Sequence, residues 1–345
     1  MRLSPLIAFC LLIPADLGRP GIPSRSVEPE ISFDRAVADA TRLPRLYSLL
    51  VNWRGDRVVE QYFNGGSARR PTNIKSASKS VIAALVGIAV GRGHIETVDT
   101  PISSYFPRLD PAKADITVED LLTMRSGLES TSGRNYGAWA QSPSWVRFAL
   151  ARPLIAEPGS NMIYSTGNSH LLSAILTKAT GKSTWDFAQE ALAAPLGFTL
   201  SRWARDPEGI YFGGNQMMMT SRQLEAIGTT YLNRGKFGDR RILSEDWIYQ
   251  TFTPRGRSHR SGRLYGYGWW MRMFAGHWAY FAWGYGGQYI FVLPDLDLVV
   301  VTTSHSDTSS GRNGHRDAIY RIVENEIVSP ISSATTLVGY RRSAL

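Results

Sequence analysis

The chain has 345 residues, 43% of them hydrophobic, and a formal net charge of +9 at pH 7. These values suit a globular protein with one large core or two lobes. The single cysteine, Cys10, excludes a disulfide framework and a cysteine-based metal site, and the six histidines lack the HExxH and His-x-His spacings of zinc sites. We therefore expect neither a metal nor a cofactor.

The basic residues are dispersed along the chain and form only short clusters, such as residues 255–263 (RGRSHRSGR). Stacking aromatics are not interleaved with them as they are in RNA- or DNA-binding motifs. We expect no nucleic-acid partner, because a dispersed basic surface of this kind rather favours anionic substrates or envelopes.

The N-terminus has Arg2 followed by an apolar run at residues 6–13, which resembles a secretory signal peptide. We predict a signal peptide at residues 1–18 and a linker at residues 19–35. The run is too short to span a membrane, and no other stretch is long and apolar enough to do so. The expected location is periplasmic or secreted, or cytoplasmic if the leader is not cleaved.

From residue 46 onward the sequence predicts a hairpin and then a buried helix. Residues 46–63 (LYSLLVNWRGDRVVEQYF) alternate in polarity around Arg54-Gly55-Asp56, which is a hairpin signal. The helix starts at Ser76, is apolar on all sides over residues 81–90 and ends at Gly91-Arg92-Gly93. A helix of this kind lies inside a protein. Because it follows the hairpin in the chain, its N-terminus is expected at the edge of the sheet.

Ser76 and Lys79 share one face of the first turn of this helix, because they are three residues apart. A hydroxyl becomes a good nucleophile when a nearby base takes its proton, and a desolvated lysine near a helix N-terminus can be neutral enough to serve. The alternative is a serine N-cap followed by a lysine that extends to water. The pair alone favours the second interpretation, and the choice depends on what else the chain supplies.

The rest of the chain is predicted to be helical in the middle and to return to strands near the end. Thr117 is expected to cap a short helix that ends at Gly127. Further helices are predicted at residues 145–150, 169–180, 185–193, 221–233, 244–252 and 317–328, and strands at residues 265–274, 277–283 and 289–303. A turn at residues 294–297 (PDLD) interrupts the last of these strands.

Strands near both termini with helices between them predict an α/β fold whose antiparallel sheet is built from the two ends of the chain and flanked by helices. An all-helical lobe is inserted in the middle. The predicted limits are residues 36–92 and 225–330 for a discontinuous sheet lobe, 93–224 for the helical lobe and 331–345 for a loose tail.

Three segments carry residues that could act together: Ser76-Ala77-Ser78-Lys79, Tyr164-Ser165-Thr166, and Trp283-Gly284-Tyr285-Gly286-Gly287. In this order, with Glu157-Pro158-Gly159 ahead of the tyrosine and ITVEDLLTMRSGL between the first two, the chain resembles the serine β-lactamase and penicillin-binding-protein superfamily. It is most similar to class C-like esterases, peptidases and 6-aminohexanoate-dimer hydrolases. The resemblance covers residues 46–323 and implies a β-lactamase/transpeptidase-like fold.

The resemblance implies a role for each matching residue. Ser76 would be the nucleophile that forms an acyl-enzyme, and Lys79 and Tyr164 would share the work of general base and general acid. The backbone N–H of Ser76, with one from the segment Trp283, Gly284, Tyr285 and Gly286, would form the oxyanion hole. The partner would be a small ester or amide substrate; the oligomeric state is not readable from the sequence.

Two departures from the family pattern bear on the substrate. The second motif is usually Tyr-x-Asn, whereas Thr166 stands here at the third place, with Asn168 two residues further on. The third motif, normally Lys-Thr-Gly or His-x-Gly, is replaced by Ala282-Trp283-Gly284. Without that cation a carboxylate should bind more weakly. The indole suggests an apolar substrate instead, with Trp269, Trp270 and Tyr285 as candidate pocket walls or, equally, core residues.

Other readings remain open. A Ser-His-Asp hydrolase could use His305 in Ser304-His305-Ser306-Asp307, but the chain has no Gly-x-Ser-x-Gly motif. A D-Ala-type peptidase or a true β-lactamase would use the same serine. A catalytically inactive peptide- or peptidoglycan-binding module would be expected to lose Ser76 or Lys79, and both are present.

Overall fold

The computed structural model describes residues 31–306 and 312–334. The predicted signal peptide (residues 1–18) and most of the predicted linker (residues 19–35) lie outside these residues, as does most of the predicted tail. The part from residue 31 onward forms one compact unit. The limits predicted for the two lobes therefore stay a prediction.

Strands from both ends of the chain share one large antiparallel sheet, as the sequence predicts. The strands are β1 (Leu46–Trp53), β2 (Asp56–Tyr62), β3 (Thr72–Asn73), β4 (Met218–Met219), β5 (Lys236–Phe237), β6 (Arg240–Arg241), β7 (Gly256–Arg257), β8 (Leu264–Tyr265), β9 (Trp270–Phe274), β10 (His277–Gly284), β11 (Gln288–Leu293) and β12 (Leu298–Ser304). The order in the sheet is β2-β1-β12-β11-β10-β9-β8-β7, so that β1 pairs with the last strand.

Helices occupy most of the middle of the chain and both ends of the part that the structure describes. They are α1 (Asp34–Thr41), α2 (Ser78–Gly91), α3 (Val118–Leu122), α4 (Tyr136–Gln141), α5 (Trp145–Leu150), α6 (Thr166–Thr180), α7 (Thr184–Ala188), α8 (Ser221–Leu232), α9 (Glu245–Phe252) and α10 (Arg312–Arg321). Two π-helical segments, Gln189–Ala193 and Ile322–Val328, continue α7 and α10. Thr117 caps α3 in a capping box with Asp120, as the sequence predicts.

Helices cover both faces of the sheet, which is why its central strands are buried throughout. On one face, Ala282 and Ile290 belong to a core shared with α2, α6 and α8. On the other face, Phe281 and Phe291 belong to a core shared with α1 and the helix at the C-terminal end. Successive strand residues point to opposite faces, so one strand contributes to both cores.

The predicted strand at residues 265–274 is broken by a loop. Its two ends are β8 and β9, while the residues between them cross the first turn of α2. The carbonyl of Gly268 accepts a hydrogen bond from Ser80 Oγ at 2.7 Å, and a Cβ at Gly268 would meet Lys79 O at 3.0 Å. The alternation in polarity continues through the loop, so it does not reveal the break.

Four predicted ends differ from the structure. Helix α3 ends at Leu122 rather than at Gly127. Helix α6 begins at Thr166, three residues earlier than predicted, and the last helix begins at Arg312 rather than at residue 317. At the C-terminal end, helical residues continue to residue 334, beyond the predicted start of the tail. Ile331 is fully buried there, so the core of the sheet's second face includes it.

No helix within residues 31–306 and 312–334 is long and apolar enough to cross a membrane.

Candidate active site

The candidate nucleophile, Ser76, lies in a single 3-10 turn (Lys75–Ala77) between the short strand β3 and α2. The residue before it, Lys75, has φ of +51°, in the left-handed region that non-glycine residues rarely adopt. Two hydrogen bonds hold it there: its N–H donates to Asn73 Oδ1 at 2.9 Å, and its carbonyl accepts from Ser78 Oγ at 2.7 Å. The strained turn leaves the Ser76 side chain partly exposed at the N-terminus of a buried helix.

The amine of Lys79 lies 3.1 Å from Ser76 Oγ and donates a second hydrogen bond to the carbonyl of Gly214 at 2.8 Å. Its side chain is almost completely buried. Burial disfavours the charged form and lowers the pKa of Lys79 to about 7. A substantial fraction of this amine is therefore neutral at neutral pH, with a lone pair available to the hydroxyl beside it.

Gly214 belongs to a segment that passes between α6 and the lysine. A Cβ at Gly214 would meet Thr166 Cγ2 at 2.6 Å and Lys79 Nζ at 3.1 Å, and one at Gly213 would meet the carbonyl of Ser169 at 2.0 Å. Only glycine lets the backbone come this close to the helix. The two glycines thus bring a carbonyl oxygen within reach of the amine.

A buried hydrogen bond between His170 and Asp206 anchors the same segment to α6. His170 Nε2 lies 3.0 Å from Asp206 Oδ2, and both side chains are inaccessible to solvent. His170 Nδ1 accepts a long hydrogen bond from the N–H of Gly213 at 3.5 Å, which places the imidazole hydrogen on Nε2. His170 therefore connects α6 to both ends of the segment that carries Gly213.

Tyr164 lies on the other side of the lysine, just before α6. Its ring is 5.1 Å from Lys79 Nζ and stacks on Trp270 with the ring centroids 5.7 Å apart. Burial raises the pKa of Tyr164 to about 12, against a smaller lowering effect of the Ser76 hydroxyl. The phenol is thus protonated at neutral pH and faces the serine and the lysine.

The start of α6 is capped by hydroxyls from a distant loop. Ser130 Oγ donates to the carbonyl of Tyr164 at 2.7 Å, Thr131 Oγ1 accepts from the N–H of Gly167 at 2.7 Å, and Ser132 Oγ accepts from the N–H of Thr166 at 2.9 Å. These bonds satisfy backbone groups that a helix leaves without partners at its N-terminus. They also fix the position of the tyrosine.

Thr166 and Asn168 lie in different surroundings. Thr166 contacts the Gly214 segment beside the lysine, and its Oγ1 hydrogen-bonds Ser132 at 2.9 Å. Asn168 is buried and its Oδ1 accepts from Ser126 Oγ at 3.1 Å, while its Nδ2 has no hydrogen-bond partner among the described residues. Of the two residues, Thr166 therefore lies beside Lys79, whereas Asn168 contacts Ser126.

The end of β10 packs directly against the turn that carries the serine. A Cβ at Gly284 would meet the carbonyl of Ile74 at 2.0 Å, so this contact requires glycine. Tyr285 is partly exposed in the turn that follows, and Gly286 has φ of +90° and faces Ser306. The sequence-predicted strand end and the serine turn thus lie side by side.

Aromatic rings form one wall near this edge. Trp270 backs Tyr164 and meets Trp283 in a T-shaped contact with ring centroids 5.6 Å apart. Trp283 is partly exposed, and the guanidinium of Arg263 lies over its ring at 5.5 Å. Trp269, in contrast, is fully buried against Tyr231, so it is a core residue and not a pocket wall.

His305, the histidine considered for a serine–histidine–aspartate triad, packs edge-on against Tyr47 with ring centroids 6.1 Å apart. Asp307 lies outside the described residues. The hydroxyl of Ser76 hydrogen-bonds to Lys79, whereas His305 packs against Tyr47.

The sequence analysis missed Gly214, Ser130, Thr131 and Ser132. A carbonyl oxygen has no sequence signature, although the Gly213-Gly214 pair indicates a close backbone approach. Three consecutive hydroxyl residues at 130–132 are a capping signal, but nothing in the sequence shows that the helix they cap begins 34 residues later.

Within residues 31–306 and 312–334, no three histidine, cysteine or acidic side chains lie close enough together to hold a metal ion.

Comparisons with known proteins agree with this geometry. The family model described as Beta-lactamase matches residues 46–324. Three solved structures share the fold: a candidate β-lactamase from Bacteroides dorei (17% identity, 88% of this chain and 100% of that chain, TM-score 0.73), a candidate 6-aminohexanoate-dimer hydrolase from Bacillus anthracis (19%, 90% and 82%, 0.67), and a mutant of simvastatin synthase from Aspergillus terreus (17%, 87% and 97%, 0.68).

Proposed function

Because this chain belongs to the Beta-lactamase family and is accordingly a serine hydrolase, we propose that it cleaves a small ester or amide through an acyl-serine intermediate on Ser76. One observation carries the proposal: a buried amine whose pKa is lowered to about 7, Lys79, lies 3.1 Å from the hydroxyl of Ser76. This distance is within hydrogen-bond reach of the proton that the base must remove.

In the first step the neutral amine of Lys79 takes the proton of Ser76 while Oγ bonds to the carbonyl carbon of the substrate. The hydrogen bond that the amine donates to Gly214 directs its lone pair away from that carbonyl and leaves it for the serine. The same step turns the substrate's carbonyl oxygen into an oxyanion. The N–H of Ser76 and an N–H from the segment after Trp283 would bind that oxyanion, since the strand end packs against the serine turn.

In the second step the tetrahedral intermediate collapses, and the bond to the alcohol or amine breaks. The leaving group takes a proton from Tyr164 or from the ammonium of Lys79, because the phenol lies beside this amine and both groups are then protonated. A water molecule next attacks the acyl carbon, one of its protons passes to the base, and Ser76 is released with its hydroxyl restored.

The aromatic wall favours a substrate with an apolar group near the reacting carbonyl. Trp283 stands where the family pattern has a cationic third motif, and its partly exposed indole offers an apolar surface. Arg263 lies over the same indole, so a positive charge is close to this edge although it is not in the motif. We therefore place neutral esters and amides first, with carboxylate-bearing peptides and β-lactams second.

The test is intact-mass spectrometry after exposure to a fluorophosphonate probe, with the parent protein compared with Ser76→Ala and Lys79→Ala. We expect one adduct, mapped to Ser76 by peptide analysis and lost in both variants. Ser103→Ala is the control, since Ser103 lies on another segment of the chain and its hydroxyl donates to the carbonyl of Ala114. Labelling that persists in Ser76→Ala would contradict the proposal.

The second candidate is a module that binds a peptide or peptidoglycan without turnover. The presence of both Ser76 and Lys79 argues against it. A folded parent protein that takes no fluorophosphonate adduct and hydrolyses no member of an ester and amide panel would favour it. If the parent protein does hydrolyse esters, pairs of esters that differ only in a carboxylate separate the neutral from the anionic substrate classes.

A further inference from the structure

One long stretch of the chain carries basic residues and no acidic ones, and it forms strands at one edge of the sheet. Between Asp246 and Asp295 the sequence has no aspartate or glutamate, yet it carries five arginines and two histidines. The arginines are Arg255, Arg257, Arg260, Arg263 and Arg272. This stretch contains β7 to β11, so its positive charge belongs to one end of the large sheet.

Three of these arginines surround one surface groove. Arg257, Arg263 and Arg272 line a groove of about 350 Å³ at the β7–β8 and β9–β10 hairpins. Arg257 donates to the carbonyl of Gly262 at 3.0 Å. Arg272 forms an ion pair with the carboxylate of Glu324 at 3.5 Å. The groove therefore keeps a net positive charge.

Two large apolar side chains are exposed in the same groove. Met273 on β9 and Trp278 on β10 are cross-strand neighbours, and 47% and 40% of their surfaces are accessible. An apolar pair exposed among arginines costs solvation free energy unless another surface covers it. A bound phosphate alone would use the guanidinium groups and leave the thioether and the indole in water.

Arg260 is exposed on the β7–β8 hairpin, one residue before Ser261, which lines the groove. We propose that this edge of the sheet docks on an anionic lipid bilayer, with Arg257, Arg260 and Arg272 against the lipid phosphates and Met273 and Trp278 inserted at the headgroup level. Indole is the side chain that favours the membrane–water interface, and each basic residue near an anionic surface adds an attraction of its own. The binding is peripheral, because it uses a hairpin surface and no spanning helix. It is independent of the hydrolase chemistry.

The full chain is tested by co-sedimentation with vesicles of pure phosphatidylcholine and with vesicles that also contain phosphatidylglycerol. We expect binding to the anionic vesicles at low salt and a loss of it at about 0.5 M salt, where the screening length falls to a few ångströms. Arg257→Glu/Arg260→Glu should weaken the partition by about tenfold or more, and Met273→Ser/Trp278→Ser by several-fold.

Matched controls separate this surface from general charge and hydrophobicity. Arg69→Glu/Arg108→Glu makes the same charge change at two other exposed arginines, and Ile155→Ser removes another exposed apolar side chain. We expect both controls to bind clearly more tightly than the groove variants. Activity on a soluble ester should be unchanged in the groove variants, which shows that they fold.

Three outcomes would overturn the proposal. The first is that the parent protein does not sediment with anionic vesicles at low salt. The second is equal binding by the groove variants and the parent, which would place the contact elsewhere in the chain, including its apolar N-terminal run. The third is binding to heparin or RNA without binding to vesicles, which would assign the basic edge to another polyanion.

Discussion

The amine of Lys79 lies between the hydroxyl that it would activate and a carbonyl that orients it. Its second partner, the Gly214 oxygen, is a hydrogen-bond acceptor without a charge, so it does not restore the ammonium form that burial disfavours. A carboxylate in its place would raise the pKa of Lys79 again. The pairing with a backbone carbonyl thus keeps the pKa low while fixing the geometry.

The rate of hydrolysis should follow the ionisation of Lys79. Because the base must be neutral, kcat/KM for a neutral ester should rise with pH up to about 7 and become level above that value. The pKa of Tyr164, about 12, predicts no second change before strongly alkaline pH. Lys79→Arg, which stays protonated, should lower kcat/KM by about 10²-fold or more. A profile without an inflection between pH 6 and 8 would contradict the assignment of Lys79 as the base.

The low pKa of Lys79 also predicts how stability depends on pH. Between about 7 and the ordinary value of 10.5 the unfolded chain binds a proton at this site that the folded chain does not, so this lysine makes stability rise with pH in that window. Its contribution to the slope is at most about 1.4 kcal/mol per pH unit. Urea unfolding of the parent and of Lys79→Met between pH 7 and 10 should show that contribution lost in the variant. Equal slopes would mean that Lys79 is charged in the folded protein.

The sequence indicated Ser76, Lys79 and Tyr164 because each lies in a short local pattern. Gly214 was not predictable in this way, since every residue has a carbonyl and 135 residues separate this one from the lysine. The positions of the tryptophan side chains could not be predicted from the sequence either. Trp269 and Trp270 are neighbours in sequence, but their side chains point into different cores, which depends on the exact phase of a broken strand.

Secondary structure was predictable where one periodicity dominates. The apolar helix α2, the hairpin of β1 and β2 and the alternating late strands have clear patterns, and the structure confirms them. The break between β8 and β9 and the first turn of α6 were missed for one reason. Both depend on tertiary contacts, of Gly268 with α2 and of the hydroxyls of residues 130–132 with α6. Contacts of this kind do not change the local pattern of polar and apolar residues, so the sequence does not show them.

The contact between β10 and the serine turn should be sensitive to a single methyl group. Gly284→Ala would place a Cβ 2.0 Å from the carbonyl of Ile74, so the strand end must move away from the turn. We expect kcat to fall by about tenfold or more, because the oxyanion hole widens, and the free energy of unfolding to fall by about 1–3 kcal/mol. Gly137→Ala is the control, since a Cβ there meets no atom within 4 Å. Comparable activity of the two variants would show that the strand end does not shape the site.

The buried hydrogen bond between His170 on α6 and Asp206 should affect catalysis through the Gly213-Gly214 segment. In Asp206→Asn the amide N–H would point at His170 Nε2, so Nε2 would have to act as the acceptor. The imidazole hydrogen would then lie on Nδ1, where it would repel the N–H of Gly213. We expect kcat/KM to fall by about tenfold, with a shift in its pH midpoint because the carbonyl that orients Lys79 moves. The exposed Asp56→Asn should change neither. A loss of stability with an unchanged pH midpoint would limit this pair to a structural role.

Across the molecule, the candidate site lies where separately built parts meet. Ser76 lies in the turn before the buried helix α2, Lys79 in the first turn of α2, Tyr164 just before α6, and Gly284 in the sheet. The sheet itself is completed by the pairing of β1 with β12, so both ends of the chain must be in place before its faces can be covered. This explains why the candidate site residues could be predicted from local motifs while their geometry depends on the whole fold.

Closure of the sheet's second face should therefore depend on the last helix, including the part beyond Pro330. Ile331 is fully buried in that core, so Ile331→Ala should lower the free energy of unfolding by about 2–4 kcal/mol. Ile155→Ala, at a side chain that is 58% exposed, should change it by less than about 0.5 kcal/mol. Urea unfolding followed by circular dichroism measures both. If Ile331→Ala were as stable as Ile155→Ala, the helix would not extend beyond Pro330 in solution, and the loose tail predicted from the sequence would describe that end of the chain better.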